Sequence, residues 1–175
     1  AQGDYNQAVH GGGHGDYPRI VLAPASVQEA IDLTVLSFDL AEKYRMICML
    51  ILDGAIGQMM EPAEMPEMKP IIDRKFEWAT NGAIDRERRI LSSIYINPPA
   101  EEVANFRLGK RWQEVQANEV RYKEYFTDDA EFVVVGFGTA GRVALSAVRT
   151  ARSEGIKVGL LRPITVSPYP YEVID

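Results

Sequence analysis

Residues 19–52 hold a strand, a helix and a second strand in an order that leaves little choice of fold. Arg19 to Ala23 (RIVLA) is a short apolar run rich in β-branched residues. It ends at Pro24, which has no N–H to give to a ladder. Ser26 stands three residues before Glu29, the spacing of a capping box at a helix start. From Val27, the apolar positions Ala30, Ile31, Val35, Phe38, Leu40 and Ala41 recur at helical spacing. The helix is predicted to close near residues 42–45, where Lys43 and Arg45 suit the negative end of its dipole. Met46 to Leu52 is then a second apolar run, nearly free of polar residues, as a strand covered on both faces requires. Short connections in this order imply two parallel strands joined by a right-handed crossover, and hence an α/β fold.

A second unit of the same type closes the chain. Glu131 to Val135 (EFVVV) reads as a strand, Gly136 to Gly141 as a turn, Arg142 to Glu154 as a helix stopped by Gly155, and Ile156 to Leu161 as the next strand. Between the two units, Glu61 to Ile96 is punctuated by Pro62, Pro66 and Pro70. Met59, Met60, Met65 and Met68 lie among or beside its acids. It reads as a crossing segment that packs on something rather than as a compact domain. The methionines suit either an adaptable contact surface or ordinary core packing. Asn97-Pro98-Pro99 starts a long charged helix, expected over 100–126, whose partial apolar stripe (Val103, Phe106, Trp112, Val115, Val120, Tyr122) leaves it half exposed.

At 175 residues the chain could form one ordinary domain or two small ones, and its 46% hydrophobic content supports a core. A net charge of -6 argues against nucleic acid as the main partner. The longest apolar run is strand-sized, so no membrane span is expected, and the first residues show no signal-peptide pattern. Cys48 is the only cysteine; it can neither form an internal disulfide nor hold an iron–sulfur cluster alone, and its place in a buried strand reads as an inert thiol.

The turn Gly136-Phe137-Gly138-Thr139-Ala140-Gly141 spells G-x-G-x-x-G between a strand and a helix, the context of a dinucleotide fingerprint. The following strand ends in Arg162 instead of the acidic residue that would bind a ribose hydroxyl; an arginine could serve a 2′-phosphate. A tight structural turn explains the same glycines.

Four collinear stretches carry a family resemblance: GGGHGDYPRIVLAPASVQEAIDLTVLSFDLAEKYR, LILDGAIGQMMEP, NEVRYKEYF and FVVVGFGTAGRVALSAVRTARSEGIKVGLLRPITVSPYP. Together they resemble the alpha subunit of the 2-oxoacid:ferredoxin oxidoreductases, of the 2-oxoisovalerate or 2-oxoglutarate type. The resemblance implies a thiamine-diphosphate-dependent cytoplasmic enzyme of anaerobic metabolism. Such enzymes oxidatively decarboxylate a 2-oxoacid to an acyl-coenzyme A and pass electrons through iron–sulfur clusters to ferredoxin. It implies that residues 1–60 close a pyrimidine-type domain, that 61–129 form an irregular linker and long helix, and that 130–175 open a transketolase C-terminal-like domain. In that family the Gly136–Gly141 stretch is not a nicotinamide site. The family's Gly-Tyr-Pro-Ile-Thr-Pro segment, activating glutamate and Arg-Gly-Gly-Pro segment do not occur here. The expectation is therefore a fragment with no catalytic, cofactor-binding or metal-binding residue of its own, inactive alone and prone to self-association. Its partners would be a beta subunit carrying thiamine diphosphate and magnesium, cluster-bearing subunits, ferredoxin, coenzyme A and the 2-oxoacid. A nucleotide-binding regulatory module built on Gly136, Gly138 and Gly141, and a pure assembly scaffold, are the alternative readings.

Candidate residues remain on two loops. His14 and Asp16, in Gly11-Gly12-Gly13-His14-Gly15-Asp16, could face a cofactor cleft or sit idle on a turn. His10 and His14 alone make no metal site. Asp53 and Gly54, after the second strand, and Gln58 shortly beyond could shape the cleft or a subunit interface, with a plain turn as the equal alternative.

Overall fold

The computed structural model describes residues 3–13, 15, 17–68 and 76–174. The chain divides into two units: Ala1–Pro66 with Arg111–Asp175, and Glu67–Lys110.

The first unit carries the expected strand–helix–strand: β1 (Ile20–Leu22), α2 (Val27–Tyr44) and β2 (Cys48–Leu50), preceded by a helix α1 (Gly3–His10). Strands β1 and β2 are parallel, with Ile20 opposite Cys48 and Leu22 opposite Leu50. Ser26 caps α2 by accepting the Glu29 N–H at 3.1 Å, and Glu29 returns by accepting the Ala25 N–H at 3.0 Å. The capping box read from the sequence is thus formed, with the return bond one residue further out than the usual pattern.

Alternation across β1 builds two cores. Ile20 and Leu22 face Leu33, Leu40 and Tyr44 of α2 and Val115; Val21 and Ala23 face Ala8 of α1 and Val166. β1 is therefore covered on both faces, which explains its unbroken apolar run, whereas β2, at the sheet edge, is only half-buried. Phe38, one of the apolar helix positions in the sequence, points away from this packing and is exposed.

The second β-α-β is also present: β4 (Phe132–Val135), α5 (Gly138–Ser153) and β5 (Val158–Pro163), with β4 and β5 parallel. The helix begins at Gly138, four residues earlier than the sequence reading placed it. Two antiparallel neighbours are added to the parallel pairs. β6 (Thr165–Ser167) lies against β1, and β3 (Tyr122–Tyr125) against β5, giving sheet orders β2-β1-β6 and β3-β5-β4. Since β5 and β6 are separated by Ile164 alone, one buried run supplies a strand to each sheet. Short helices α3 (Gly54–Gln58) and α6 (Tyr171–Ile174) complete the unit, and the helix across its boundary, α4, spans Pro98–Asn118.

The long helix expected over 100–126 is corrected: it stops at Asn118, and 122–125 is a strand. Tyr122 and Tyr125 are strand-forming aromatics, and β5 offers the segment a ladder. Glu119, just past the helix, is buried and accepts hydrogen bonds from Lys43 Nζ at 2.7 Å, Tyr44 Oη at 2.6 Å and Arg121 at 2.6 Å. The Arg121 N–H is taken by Thr165 Oγ1 at 2.8 Å. These tertiary partners outweigh the weak helical signal of residues 119–126.

The second unit has another character. Arg86 donates to the carbonyls of Ala79, Gly82 and Glu87, and Arg89 to those of Phe76 and Ala79. Phe76 stacks on Trp78 at 4.8 Å. Two guanidiniums thus organise residues 76–89 around backbone oxygens, without a buried apolar cluster among the described residues of this unit.

Candidate functional site

In parallel sheets, ligands gather at the carboxyl ends of the strands. Here the carboxyl ends of β1, β2 and β4 run into Ala25, Asp53 and Gly136-Phe137, and side chains tie the two sheets together there. Asp53 caps α3 by accepting the Ala55 and Ile56 N–H groups at 2.9 and 3.0 Å. Its other oxygen accepts the Thr139 N–H at 3.2 Å, in the first turn of α5. Arg142 of α5 donates to Ala25 O at 3.3 Å and pairs with Glu61, whose second oxygen accepts the Val27 N–H at 3.1 Å. Arg162, 3% exposed, grips Glu29 with both terminal nitrogens, at 2.9 and 2.6 Å, and Lys123 adds a third contact at 2.8 Å.

The electrostatics of these groups follow from their partners. Burial pushes the Glu29 carboxyl up, but hydrogen bonds from Lys123, the Ala25 N–H and Arg162 outweigh it and leave its pKa below the usual carboxylate range. Hydrogen bonding to Thr139, then to the Ile56 N–H, lowers Asp53. Arg142, followed by the Val27 N–H, lowers Glu61. At Glu119 burial is the largest single influence and acts upward, yet Lys43, Tyr44 and Arg121 together hold the carboxyl at about 2. All four carboxylates are ionised and occupied at neutral pH. None is poised to accept or release a proton there.

The glycines of the G-x-G-x-x-G turn have structural tasks. Gly138 has φ +57°, and a Cβ on Gly141 would stand 2.5 Å from Gly136 O. The start of α5 is already capped by the Asp53 carboxylate, the position a phosphate oxygen would need. Among the described residues, no group of three His, Cys, Asp or Glu side chains is arranged to hold a metal. Cys48 is half-buried, and burial pushes its thiol up to about 11, as an inert side chain requires.

Of the sequence candidates, Asp53 lies at the junction, Gly54 and Gln58 lie exposed on α3, and His14 and Asp16 lie outside the described residues. The described residues 11–13, 15 and 17 form a loop ahead of β1, and Asp53 leaves β2 at its carboxyl end. That loop is fastened by Tyr17, whose hydroxyl donates to Gly12 O at 2.6 Å and accepts the Gly12 N–H at 2.9 Å. Arg19 lies over the Tyr17 ring and donates to Gln7 O. Sequence reasoning missed Arg142, Glu61 and the Glu29–Arg162 pair. The available signal was Arg162 itself, a charge ending a buried apolar strand, which must find a counter-charge.

Residues 1–125 match the family model described as pyruvate flavodoxin/ferredoxin oxidoreductase, thiamine-diphosphate-binding, and residues 130–175 match pyruvate:ferredoxin oxidoreductase core domain II. The chain belongs to the pyruvate flavodoxin/ferredoxin oxidoreductase family. Among members of this family, it is 49% identical to ketoisovalerate oxidoreductase subunit VorB of Methanothermobacter thermautotrophicus, over 99% of this chain and 49% of that protein. It is 30% identical to 2-oxoglutarate synthase subunit KorA of Methanothermobacter marburgensis, over 97% of this chain and 52% of that protein. The chain thus spans about half the length of the curated relatives it matches. Its fold is similar to that of the 2-oxoglutarate:ferredoxin oxidoreductase from Magnetococcus marinus, solved with 2-oxoglutarate, coenzyme A and succinyl-CoA bound. The TM-score is 0.78 at 22% identity, over 98% of this chain and 35% of that one. The α/β fold expected from the sequence is borne out. No helix among the described residues is long and apolar enough to cross a membrane.

Proposed function

We propose that this chain forms part of the alpha subunit of a cytoplasmic 2-oxoacid:ferredoxin oxidoreductase acting on 2-oxoisovalerate. The observation that carries this reading is 49% identity along nearly the whole chain to a ketoisovalerate oxidoreductase subunit, against 30% to a 2-oxoglutarate synthase subunit. In the complete enzyme the 2-oxoacid is decarboxylated, its acyl group joins coenzyme A, and two electrons leave through iron–sulfur clusters to ferredoxin. Thiamine diphosphate and magnesium would be held by the beta subunit and the clusters by further subunits; Cys48 alone cannot hold an iron–sulfur cluster.

The role of this chain's own residues is positional. Residues 1–60 and 130–175 would belong to the pyrimidine-type and transketolase C-terminal-like domains, with 61–129 crossing between them. Asp53, Arg142 and the Glu29–Arg162 pair hold the strand ends of the two in register. The outer candidates His14, Asp16, Gly54 and Gln58 would line the cleft or the beta-subunit interface.

The test is viologen reduction by the complex assembled on the full-length parent subunit, with coenzyme A, thiamine diphosphate and magnesium. 2-Oxoisovalerate, 2-oxoglutarate and pyruvate are offered separately. Fastest turnover with 2-oxoisovalerate is expected, and no turnover by this chain alone. Preference for 2-oxoglutarate or pyruvate overturns the substrate; reduction by the isolated chain overturns the positional role.

A further inference from the structure

An asparagine followed by glycine can turn its own side chain into an acid, and this chain holds that pair once, at Asn81-Gly82. The pair lies in the loop of the second unit that Arg86 gathers. Arg86 Nη2 donates to Asn81 Oδ1 at 3.3 Å, to Ala79 O at 3.3 Å and to Gly82 O. Asn81 and Gly82 are both exposed. Gly82 has φ +103°, and a Cβ there would meet nothing within 4 Å, so the backbone at the pair has open space around it. No backbone carbonyl among the described residues accepts the Gly82 N–H.

The other four asparagines are each held off. Asn6 lies within α1 and Asn105 within α4, where the N–H of the next residue serves the helix. Asn97 precedes Pro98, whose nitrogen carries no hydrogen. Asn118 precedes Glu119, whose N–H donates to Val115 O at 2.9 Å, and its own amide donates to Glu114 O at 2.7 Å. Asp53-Gly54, the related acidic pair, keeps its carboxylate on the N–H groups of Ala55, Ile56 and Thr139.

We propose that Asn81 is a self-modification site, converting to aspartate and isoaspartate through a cyclic imide, with Arg86 assisting and water as the co-reactant. The Gly82 nitrogen attacks Asn81 Cγ. An N–Cγ bond forms, the Cγ–Nδ2 bond breaks, and Nδ2 leaves as ammonia with the proton that the Gly82 nitrogen gives up. Negative charge grows on Oδ1 as the bond forms, and the Arg86 guanidinium already faces that oxygen. Water then opens the imide: at the main-chain carbonyl it leaves isoaspartate, at the side-chain carbonyl aspartate. No electron changes hands. Isoaspartate routes the main chain through the side-chain carbon, between the Ala79 and Gly82 carbonyls that Arg86 gathers, so it loosens that grip. The site goes beyond the proposed activity and stands or falls without it, because the readouts are mass, ammonia and proteolysis and not turnover.

The experiment ages the 175-residue chain at mildly alkaline pH, where the Gly82 nitrogen loses its proton more readily. Peptide mapping, ammonia release and methylation by an isoaspartyl methyltransferase follow the product. Acid is expected to accumulate at 81 ahead of 6, 97, 105 and 118, with one ammonia released per converted chain. Asn81→Gln and, separately, Gly82→Ala should bring ammonia release down to the level of the other asparagines. Arg86→Gln should slow conversion at 81 several-fold, and Arg86→Lys should slow it less. Limited proteolysis of the aged wild type should cut within 76–89 several-fold faster than in the fresh chain, as a loosened exposed loop does. No excess of acid at 81 overturns the site. Unchanged release from Gly82→Ala overturns the imide route. Equal or faster conversion in Arg86→Gln overturns the assisting role of Arg86, and equal cutting of aged and fresh chain overturns the loosening.

Discussion

The two units of this chain solve the same problem in opposite ways. In the first, charged groups are drawn inside and answered. Arg162 and Glu119 are both 3% exposed, and each has its counter-charge within hydrogen-bond reach. In the second, apolar side chains are left outside. Ile84, Ile90, Ile94 and Ile96 are each at least 75% exposed, while arginines organise backbone carbonyls in place of a core. The first arrangement makes stability hang on a few long-range ion pairs. The second yields a presenting surface whose own stability hangs on little, as a segment built to be covered by something else should.

The comparison can be broken at its strongest point first. Glu29→Ala leaves the buried Arg162 guanidinium without a counter-charge and should cost about 3–5 kcal/mol in urea unfolding at pH 7. A loss below about 1 kcal/mol would mean that the ion pair does not weld the two sheets.

Acid is the next test. Glu119 falls from its ordinary 4.5 to about 2 in the folded chain, so its contribution is fully present above pH 4.5 and is lost as pH drops toward 2. Up to about 3 kcal/mol should disappear across that window, and Glu119→Gln should flatten the slope there. An unchanged slope would remove Glu119 from the account.

Gly141→Ala follows. Its methyl would stand 2.5 Å from Gly136 O and 3.0 Å from Arg162 Cγ, an overpacking expected to cost about 2 kcal/mol by thermal or urea melts. The smallest effect sharpens the contrast: Ile94→Ala, 75% exposed, should change the unfolding free energy by less than about 0.5 kcal/mol. Hydrogen exchange should likewise be faster over 84–97 than in β1. Slow exchange there would contradict the absence of a local core.

How much of this was legible beforehand differs by element. β1, α2 and β2 could be read because each announces itself locally: a proline stop, a capping box, a helical repeat, an unbroken apolar run. β4 and α5 were legible for the same reason. The 100–126 helix was read too long because nothing local marks its end; Glu119 and Arg121 leave it for partners 75 residues back and 44 residues ahead. β6 was missed because Thr-Val-Ser carries little signal until β1 stands beside it. At the candidate site, Asp53 was found by its position after a strand, but its second task, capping α5 from 86 residues away, has no trace in its neighbours.

By itself the sequence determined the fold class, the two β-α-β units with their polarity, the inert cysteine and the family, since these rest on patterns within one element or along the whole string. Tertiary structure alone decided which charges meet. Ala25, Asp53, Glu29, Arg142 and Arg162 come together only when two sheets share the run from Val158 to Ser167, and the partner of a buried charge is set by that packing and not by spacing along the chain.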